Sequence, residues 1–270
     1  MATLQTGTGI REHKVVSPDE WIGARKEFLQ KEKEFTRLRD ELSRLRRELP
    51  WEKVEKQYGF DGPEGKVTLA DLFDRRSQLI VYHFMFGPGW QEGCKSCSFL
   101  ADHFNSFGVH LNARDVTLAA VSRAPIDELQ AFKNRMGWDF TWVSSYDTDF
   151  NFDYHVSFTG DEMAKGNVYY NYGFQEFPAE EAPGISVFYK EEATGDIFHT
   201  YSSYGRGLDI LLGTYNFLDL VPTGRDEEGL AFSMAWVRHH DRYDNLVVDP
   251  NAKYEAPAGS ESSRSAGKRS

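Results

Sequence analysis

The stretch LIVYHFMFGPGWQEGCKSCSFLA, residues 79–101, decides how the rest of the chain is interpreted. It begins with an apolar run over 79–86, which is typical of a strand buried on both faces of a sheet. A glycine-rich turn follows over 87–93, and then come Cys94, Cys97 and the first turn of a helix. Both cysteines of the 270-residue chain lie here at Cys-x-x-Cys spacing, which indicates a specific use for the pair.

The position of the pair at the start of a helix indicates its chemistry. The unpaired N–H groups and partial positive charge of a helix N-terminus stabilise a thiolate, which is the reactive form of cysteine. Lys95 adds a cation next to Cys94, and Cys97 follows one turn later, close enough to form a disulfide with it. The sequence therefore predicts that Cys94 attacks and Cys97 resolves. The alternative is two buried, inert thiols.

Composition and charge argue against several kinds of partner. The formal net charge of −11 argues against nucleic acid or an anionic membrane as the main partner. No apolar run approaches the roughly 18 residues of a membrane span, and residues 1–16 contain no apolar segment of a secretory signal. Two cysteines cannot form a disulfide framework, so we expect a transient disulfide in a cytoplasmic protein.

The sequence pattern divides the chain into four regions. Residues 1–16 are polar and are predicted to form a loose N-terminal arm. A long amphipathic helix is predicted over 17–50, and the domain that contains the cysteines over 51–248. Residues 249–270 are rich in Ser, Ala, Gly and charge, which predicts a disordered tail.

The predicted helix over 17–50 has clear signals at both ends. Ser17 and Glu20 fit a capping box, Pro18 suits the first helical position, and Pro50 stops the helix. Between them, apolar residues recur at spacings near three and four, so one face is apolar. Such a stripe suits either a coiled coil in a homodimer or a helix lying across its own domain.

Strands and helices alternate within the domain. Residues 79–145 have the order strand, helix, strand, helix, strand, which implies parallel strands with right-handed crossovers. A hairpin is predicted over 184–201 and a final helix over 208–218. The segment 147–182 breaks this rhythm, being rich in Phe, Tyr, Asp and Gly. It is interpreted either as an insertion that covers the cysteines or as a surface flap packed by its own aromatic residues.

Six short motifs carry a resemblance to known proteins. They are YHFMF at 82–86, GCKSCS at 93–98, SRAP at 122–125, RMGW at 135–138, PGISVF at 183–188 and RHHD at 238–241. The chain resembles the thioredoxin fold and, more specifically, the DUF899 family of thioredoxin-like proteins over about residues 15–245. The resemblance implies an α/β thioredoxin-like fold, with a central mixed sheet flanked by helices and a long N-terminal helix.

The resemblance also implies roles for two further residues. A cis-proline faces the Cys-x-x-Cys of thioredoxin-like proteins, and Pro183 is the matching position, where backbone groups could pair with a substrate chain. His83 lies near where thioredoxins keep a buried acid. It either shuttles protons to the resolving thiol or is a core histidine with satisfied hydrogen bonds. The chain differs from thioredoxins in two ways. Residues 87–93 separate the strand from Cys94, and Lys95 and Ser96 lie between the two cysteines in place of Gly-Pro. We therefore expect a different approach to Cys94 than in general protein disulfide reductases.

Metal binding is a second use of the same sulfurs. Two thiolates from Cys94 and Cys97, with His239 or His240 as a third ligand, would suit copper or zinc. Some thioredoxin-fold copper-delivery proteins are similar, with paired cysteines and a distant histidine. Adjacent histidines point in different directions, so the alternative is a pair of solvated surface side chains.

Three functions follow from these residues. The first is a thioredoxin-like thiol–disulfide oxidoreductase without a cofactor, which acts on a thiol or disulfide substrate and uses a separate reductant. Its peroxidase-type variant would have Cys94 attack a peroxide and pass through a sulfenic acid. The second is a copper or zinc binding or delivery protein. The third is a non-catalytic interaction module that dimerises through the N-terminal helix.

Overall fold

The computed structural model describes residues 13–243. The predicted loose arm over 1–16 therefore lies mostly outside the described residues, and the predicted tail over 249–270 lies wholly outside them. Within the described range, no helix is both long enough and apolar enough to cross a membrane.

One compact unit of the described chain consists of residues 13–50 together with Phe217–Asp226. Its main element is the helix α1, Pro18–Arg47, and Ser17 and Glu20 form both halves of the predicted capping box. None of the residues of α1 is buried, so the predicted apolar stripe is exposed in the single chain. Pairing of this stripe with a second copy stays a prediction.

The other compact unit, Trp51–Asn216 with residues 227–243, is built on an eight-stranded sheet. The strand order is β1-β10-β9-β4-β5-β6-β2-β3, and β7 pairs with β8 in a separate hairpin. The strands are β1 Glu52–Lys53, β2 Gly59–Gly62, β3 Gly65–Thr68, β4 Gln78–His83, β5 Val116–Ser122, β6 Thr141–Ser144, β7 Val168–Tyr170, β8 Gly173–Gln175, β9 Gly184–Lys190 and β10 Ile197–Tyr204.

The directions of the central strands establish the fold class. β4, β5 and β6 run parallel, as the alternation of strands and helices predicts. The hairpin of β9 and β10 is antiparallel, and β9 pairs antiparallel with β4. A parallel βαβ unit next to an antiparallel hairpin in one mixed sheet is the arrangement of a thioredoxin-like α/β protein. The predicted fold class is therefore confirmed, including the long N-terminal helix.

The helices of the domain are shorter than the apolar pattern suggests. The helix predicted after the cysteines is two helices, because the N–H of His103 bonds to Leu100 three residues back and tightens the chain between them. The predicted helix over 208–218 begins as a 3-10 helix, Gly205–Leu211. The remaining helices are α2 Lys95–Ala101, α3 Phe104–Asn112, α4 Ile126–Arg135, α5 Phe150–Asp153, α6 Gly160–Ala164 and α7 Gly213–Leu218.

The alternation of side chains along β4 separates the two faces of the sheet. Leu79 and Val81 point into a buried cluster that also contains Phe150 and Phe188. Tyr82 points to the opposite face, where its ring packs edge-on against Phe104. Because successive side chains of a strand face opposite sides, only one of the two faces can meet the helix that carries the cysteines.

The segment 147–182 is partly core and partly surface. Phe150 in α5 is fully buried against Tyr58 and Phe60, whereas Phe174 in β8 is 73% exposed. The interpretation of the whole segment as a surface flap is therefore wrong at its start, where an aromatic side chain completes the core.

We expect Phe150→Ala to lower the free energy of unfolding by about 3–5 kcal/mol, because it leaves a cavity in the core. Phe174→Ala makes the same chemical change on the surface and should alter that free energy by less than about 0.5 kcal/mol. Urea unfolding of both variants measures the difference. Equal effects would contradict the packing of α5 described above.

Candidate active site

The turn between β4 and α2 fixes the position of Cys94. After β4 the chain stays buried to Phe86, and the N–H of Cys94 then returns to donate to the carbonyl of Met85 at 3.0 Å. The carbonyl of Cys94 accepts from the N–H of Ser98 at 2.9 Å, so Cys94 caps the N-terminus of α2. The predicted placement of the first cysteine at a helix start therefore agrees with the structure.

Gly93 allows this turn to close against the core. A Cβ atom at position 93 would lie 2.6 Å from Cε1 of Phe84 and 3.0 Å from Cε1 of Phe132. Both rings belong to the packed aromatic cluster under the turn. Only glycine therefore lets the backbone before Cys94 approach these rings so closely.

The two sulfurs have opposite protonation preferences. The pKa of Cys94 is lowered to about 7, chiefly because the thiol of Cys97 donates a hydrogen bond to its sulfur. The backbone N–H groups of Cys97 and Ser96 and the charge of Lys95 act in the same direction, against the effect of burial. The pKa of Cys97 is raised, first by burial and then by its interactions with Cys94. Cys94 is therefore the thiolate near neutral pH, and Cys97 holds the proton.

The pair lies beside a cavity of about 240 Å³. Cys94 is only 3% exposed and Cys97 only 2%, so a reagent reaches either sulfur through this cavity or through movement of its walls. Apart from the cysteines, the lining consists of Tyr82, Met85, Ser96, Leu100, Phe177, Pro178, Pro183, Gly205, Leu208, Leu212, Phe232, Ser233 and Met234. Two of these residues, Phe177 and Pro178, come from the segment 147–182.

Pro183 lines the cavity but does not have the expected backbone geometry. No cis peptide bond occurs among the described residues, so the cis-proline implied by the resemblance is wrong. The chain enters β9 directly after Pro183 in the trans form, which X–Pro bonds favour by about 0.5–1 kcal/mol. The carbonyl of Pro183 accepts from the hydroxyl of Tyr170 at 2.6 Å, and the N–H of Ala182 donates to Val156 at 2.8 Å.

His83 is on the other face of the sheet. Its Nε2 lies 2.8 Å from Oγ of Ser186, and its ring stacks on Tyr154. Burial lowers the pKa of His83 to about 3, so the ring is neutral. Tyr82, the preceding residue, instead faces the cysteines and donates to the carbonyl of Cys97 at 3.4 Å. This placement contradicts the predicted proton shuttle, because neighbouring strand residues point to opposite faces. His83 is a core histidine as the alternative had it, but its hydrogen bonds are not fully satisfied, since Nδ1 is buried without a partner in the described part of the chain.

The two C-terminal histidines have separate partners. His239 is buried, and its Nε2 lies 2.9 Å from the carbonyl of Gly93, immediately before the first cysteine. His240 is exposed, and its Nδ1 lies 2.6 Å from a carboxylate oxygen of Asp102. Among residues 13–243, no group of three or more His, Cys, Asp or Glu side chains is arranged to hold a metal ion. The copper or zinc alternative stays a prediction.

The last described segment, 227–243, contributes to the site, and the sequence interpretation singled out only its motif at 238–241. Glu227 accepts from the N–H of Met234 at 2.7 Å and from the indole of Trp236 at 2.8 Å. Lys95, the residue after Cys94, donates to the carbonyl of Ala235 at 3.3 Å. These contacts hold Phe232, Ser233 and Met234 on the cavity wall. The segment has no helical or strand periodicity, so only the isolated apolar residues in a polar stretch signalled its burial.

Glu181 is a second residue without a sequence signal. It is 2% exposed and accepts from Arg123 at 2.9 Å and from the hydroxyl of Ser157 at 2.6 Å. Burial raises the pKa of Glu181 to about 7, although Arg123 and Ser157 act against this shift. The carboxylate connects the segment 147–182 to the loop after β5, and it does not line the cavity.

The mixed sheet, with a Cys-x-x-Cys pair at the start of a helix, places this chain in the class of thioredoxin-like α/β proteins. More particularly, the chain belongs to the family described as "Bacterial protein of unknown function (DUF899)", whose family model matches residues 10–243. The family suggested by the sequence motifs is therefore confirmed. A search of the curated proteins finds no significant match.

The chain is also similar to several solved structures at low identity. Peroxidoxin BcpB from Mycobacterium tuberculosis is 12% identical, with 62% of this chain and 95% of that chain covered and a TM-score of 0.37. The mitochondrial 2-Cys peroxiredoxin from Plasmodium falciparum is 14% identical, with coverages of 63% and 92% and a TM-score of 0.36. A secreted disulfide oxidoreductase from Mycobacterium tuberculosis is 16% identical, with coverages of 58% and 92% and a TM-score of 0.33.

We expect Cys97→Ala to raise the pKa of Cys94, because it removes the largest stabilisation of the thiolate. Cys97→Ser keeps a hydroxyl donor and should raise the pKa less, and Lys95→Gln should have a smaller effect than Cys97→Ala. Thiolate ultraviolet absorbance followed against pH measures all three. A larger shift in Lys95→Gln than in Cys97→Ala would contradict the dominant role of the sulfur–sulfur hydrogen bond.

Gly93→Ala should lower the free energy of unfolding by about 1–3 kcal/mol, because the added methyl group overpacks the rings below the turn. Gly108→Ala in α3 is the matched control, since its Cβ atom would meet nothing within 4 Å. That control should be neutral or stabilising by about 0.5–1 kcal/mol. Thermal and urea unfolding of the two variants provide the comparison.

Proposed function

We propose that this protein is a thiol–disulfide oxidoreductase in which Cys94 attacks and Cys97 resolves. The observation that carries the proposal is the placement of Cys94 at the start of α2 and of Cys97 one turn later, both lining one cavity, with the pKa of Cys94 lowered and that of Cys97 raised. Thioredoxin-like proteins supply the fold for such chemistry, but fold alone does not assign an activity. The two cysteines support the proposed activity, because an attacking thiolate and an adjacent protonated thiol are the two groups that dithiol exchange requires.

The reaction begins at the sulfur of Cys94. The thiolate attacks one sulfur of a substrate disulfide, a mixed disulfide forms, and the other substrate sulfur leaves as a thiolate. The charge on Cys94 is lost in this step. Because that charge is one cause of the raised pKa of Cys97, the resolving thiol then becomes easier to deprotonate.

The second step closes the internal disulfide. Cys97 gives up its proton and attacks the sulfur of Cys94, so the mixed disulfide breaks and the second substrate sulfur is released. The substrate gains two electrons. One of its sulfurs takes up the proton of Cys97, and the other takes a proton from solvent, to which the thiol of Cys94 had lost its own. A separate dithiol reductant restores the cysteines. We place this cycle in the cytoplasm, where reductants of this class keep thiols reduced.

The peroxidase-type variant uses the same attacking sulfur on a different substrate. The thiolate would take the terminal oxygen of a hydroperoxide, an alcohol or water would leave, and Cys97 would condense with the sulfenic acid to release water. None of the described residues that line the cavity is an arginine, so the lining offers no guanidinium group to stabilise charge on a peroxide oxygen. We therefore favour disulfide exchange, and a hydroperoxide serves as a comparison substrate.

A trapping experiment with dithiodipyridine, an uncharged aromatic disulfide, tests the proposal. Cys97→Ser should retain a stable thiopyridine adduct on Cys94, whereas the wild-type chain should lose the adduct and gain an internal disulfide. Cys94→Ser should form neither product at a comparable rate. The rate for the wild-type chain should rise as pH passes through about 7, because the lowered pKa of Cys94 sets the thiolate fraction.

Intact-mass and peptide mass spectrometry identify each product. The proposed mechanism would be excluded if Cys94→Ser reacted as fast as the wild-type chain. It would also be excluded if Cys97→Ser formed no thiopyridine adduct on Cys94. A hydroperoxide that oxidises the pair much faster than any disulfide would favour the peroxidase-type variant instead.

A further inference from the structure

We infer that the substrates of the dithiol are small disulfides with uncharged, apolar bodies, and that disulfides with carboxylate groups and protein disulfides are poor substrates. The inference rests on the proposed function, because it concerns what reaches Cys94. It follows from three features of the described chain: the chemistry of the cavity lining, the size of the cavity, and the hydrogen-bond partners of the backbone around it.

Apart from the thiolate of Cys94, none of the described residues that line the cavity has a charged side chain. The surfaces that face the sulfurs are aliphatic and aromatic, and the polar side-chain groups of the lining, apart from the two cysteines, are the hydroxyls of Tyr82, Ser96 and Ser233. The nearby amino group of Lys95 is directed to the carbonyl of Ala235 and lies 5.7 Å from the ring centre of Phe232. A carboxylate entering the cavity would lose its hydration without gaining a cationic partner from the lining, and it would also be repelled by the thiolate of Cys94, which together cost several kcal/mol.

The size of the cavity limits the body of the substrate. Its volume of about 240 Å³ is below the roughly 300–1,000 Å³ of pockets that hold drug-sized ligands. A short alkyl or aryl disulfide fits this limit. A tripeptide disulfide such as glutathione disulfide is both larger and multiply charged.

The backbone that a protein substrate would use is already paired. Extended peptides bind to thioredoxin-like and other sheet proteins by adding main-chain hydrogen bonds. Here the N–H of Ala182 donates to Val156, and the carbonyl of Pro183 accepts from the hydroxyl of Tyr170. Gly184 is the next residue, and it is paired with β4 and β10. The N–H of Ala182 and the carbonyl of Pro183 are therefore engaged within the chain, and Pro183 has no N–H to offer a substrate.

The segment 227–243 adds a physical cover. Phe232, Ser233 and Met234 stand on the cavity wall, and the contacts of Glu227 with Met234 and Trp236 hold them there. His239 is also bonded to Gly93, directly before the attacking cysteine. A folded protein could reach Cys94 only after these contacts were broken, whereas a small disulfide needs only the cavity.

Two disulfides that differ in charge and little else test the inference. Dipropyl disulfide and dithiodipropionate have the same three-carbon arms, and only the second carries carboxylates. The full chain is assayed with dithiothreitol as the dithiol reductant, and the rate with Cys94→Ser is subtracted. We expect kcat/KM for dipropyl disulfide to exceed that for dithiodipropionate and for insulin by about 100-fold.

A charge introduced on the wall should reverse part of this preference. Ser233 is exposed and lines the cavity, so Ser233→Lys should fold normally and provide an ionic partner for a carboxylate. It should raise kcat/KM for dithiodipropionate about tenfold relative to dipropyl disulfide. Ser106→Lys is the matched control, because Ser106 is an exposed serine in α3 and is not part of the lining. It should leave the ratio unchanged.

The outcomes separate this inference from the proposed function. Equal or better use of dithiodipropionate or insulin overturns the substrate class, while the dithiodipyridine adduct of Cys97→Ser still supports dithiol chemistry. An unchanged substrate ratio in Ser233→Lys overturns the assignment of the cavity as the selecting surface. Failure of Cys97→Ser to form the dithiodipyridine adduct overturns both proposals together.

Discussion

The placement of Cys94 at the cap of α2, with Cys97 one turn later, is the constraint on which the candidate site depends. It lowers the pKa of Cys94 and raises that of Cys97, so two identical side chains acquire different roles. That cap in turn requires the return of the chain to Met85 and the close approach at Gly93. Strand, turn and helix therefore act as one unit.

The surroundings of the pair come from distant parts of the chain. The segment 147–182, the 3-10 helix Gly205–Leu211 and the segment 227–243 each supply residues to the cavity wall. In a thioredoxin with an open active site, a protein substrate pairs with the backbone beside the cysteines. In this protein that backbone is paired internally, and apolar side chains surround the sulfurs. The dithiol chemistry that we propose would therefore meet a different kind of substrate.

The predictions for the site were right where they rested on residues close together in the sequence. They were wrong where they depended on the direction in which a side chain points. The capping box of α1, the parallel βαβ unit and the helix start at Cys94 all follow from residues a few positions apart. His83 was assigned to the cysteines by its position in the chain, although the alternation of side chains along β4 directs it to the opposite face. The cis form of Pro183 was implied by the resemblance alone, and the hydrogen bonds around this residue accompany a trans peptide.

The sequence by itself determined the class of the protein. Hydrophobic periodicity, capping residues and the Cys-x-x-Cys spacing are properties of short segments, and they fix which elements form and where a thiolate can be stabilised. Only the tertiary structure decided what surrounds that thiolate. Phe177 and Phe232 reach the cavity from segments without periodicity. Phe177 packs against Phe158 and Tyr170, whereas single contacts of Glu227 and Lys95 hold the segment that contains Phe232. Such long-range contacts leave no regular pattern in the sequence, because each is satisfied by one pair of residues rather than by a repeat.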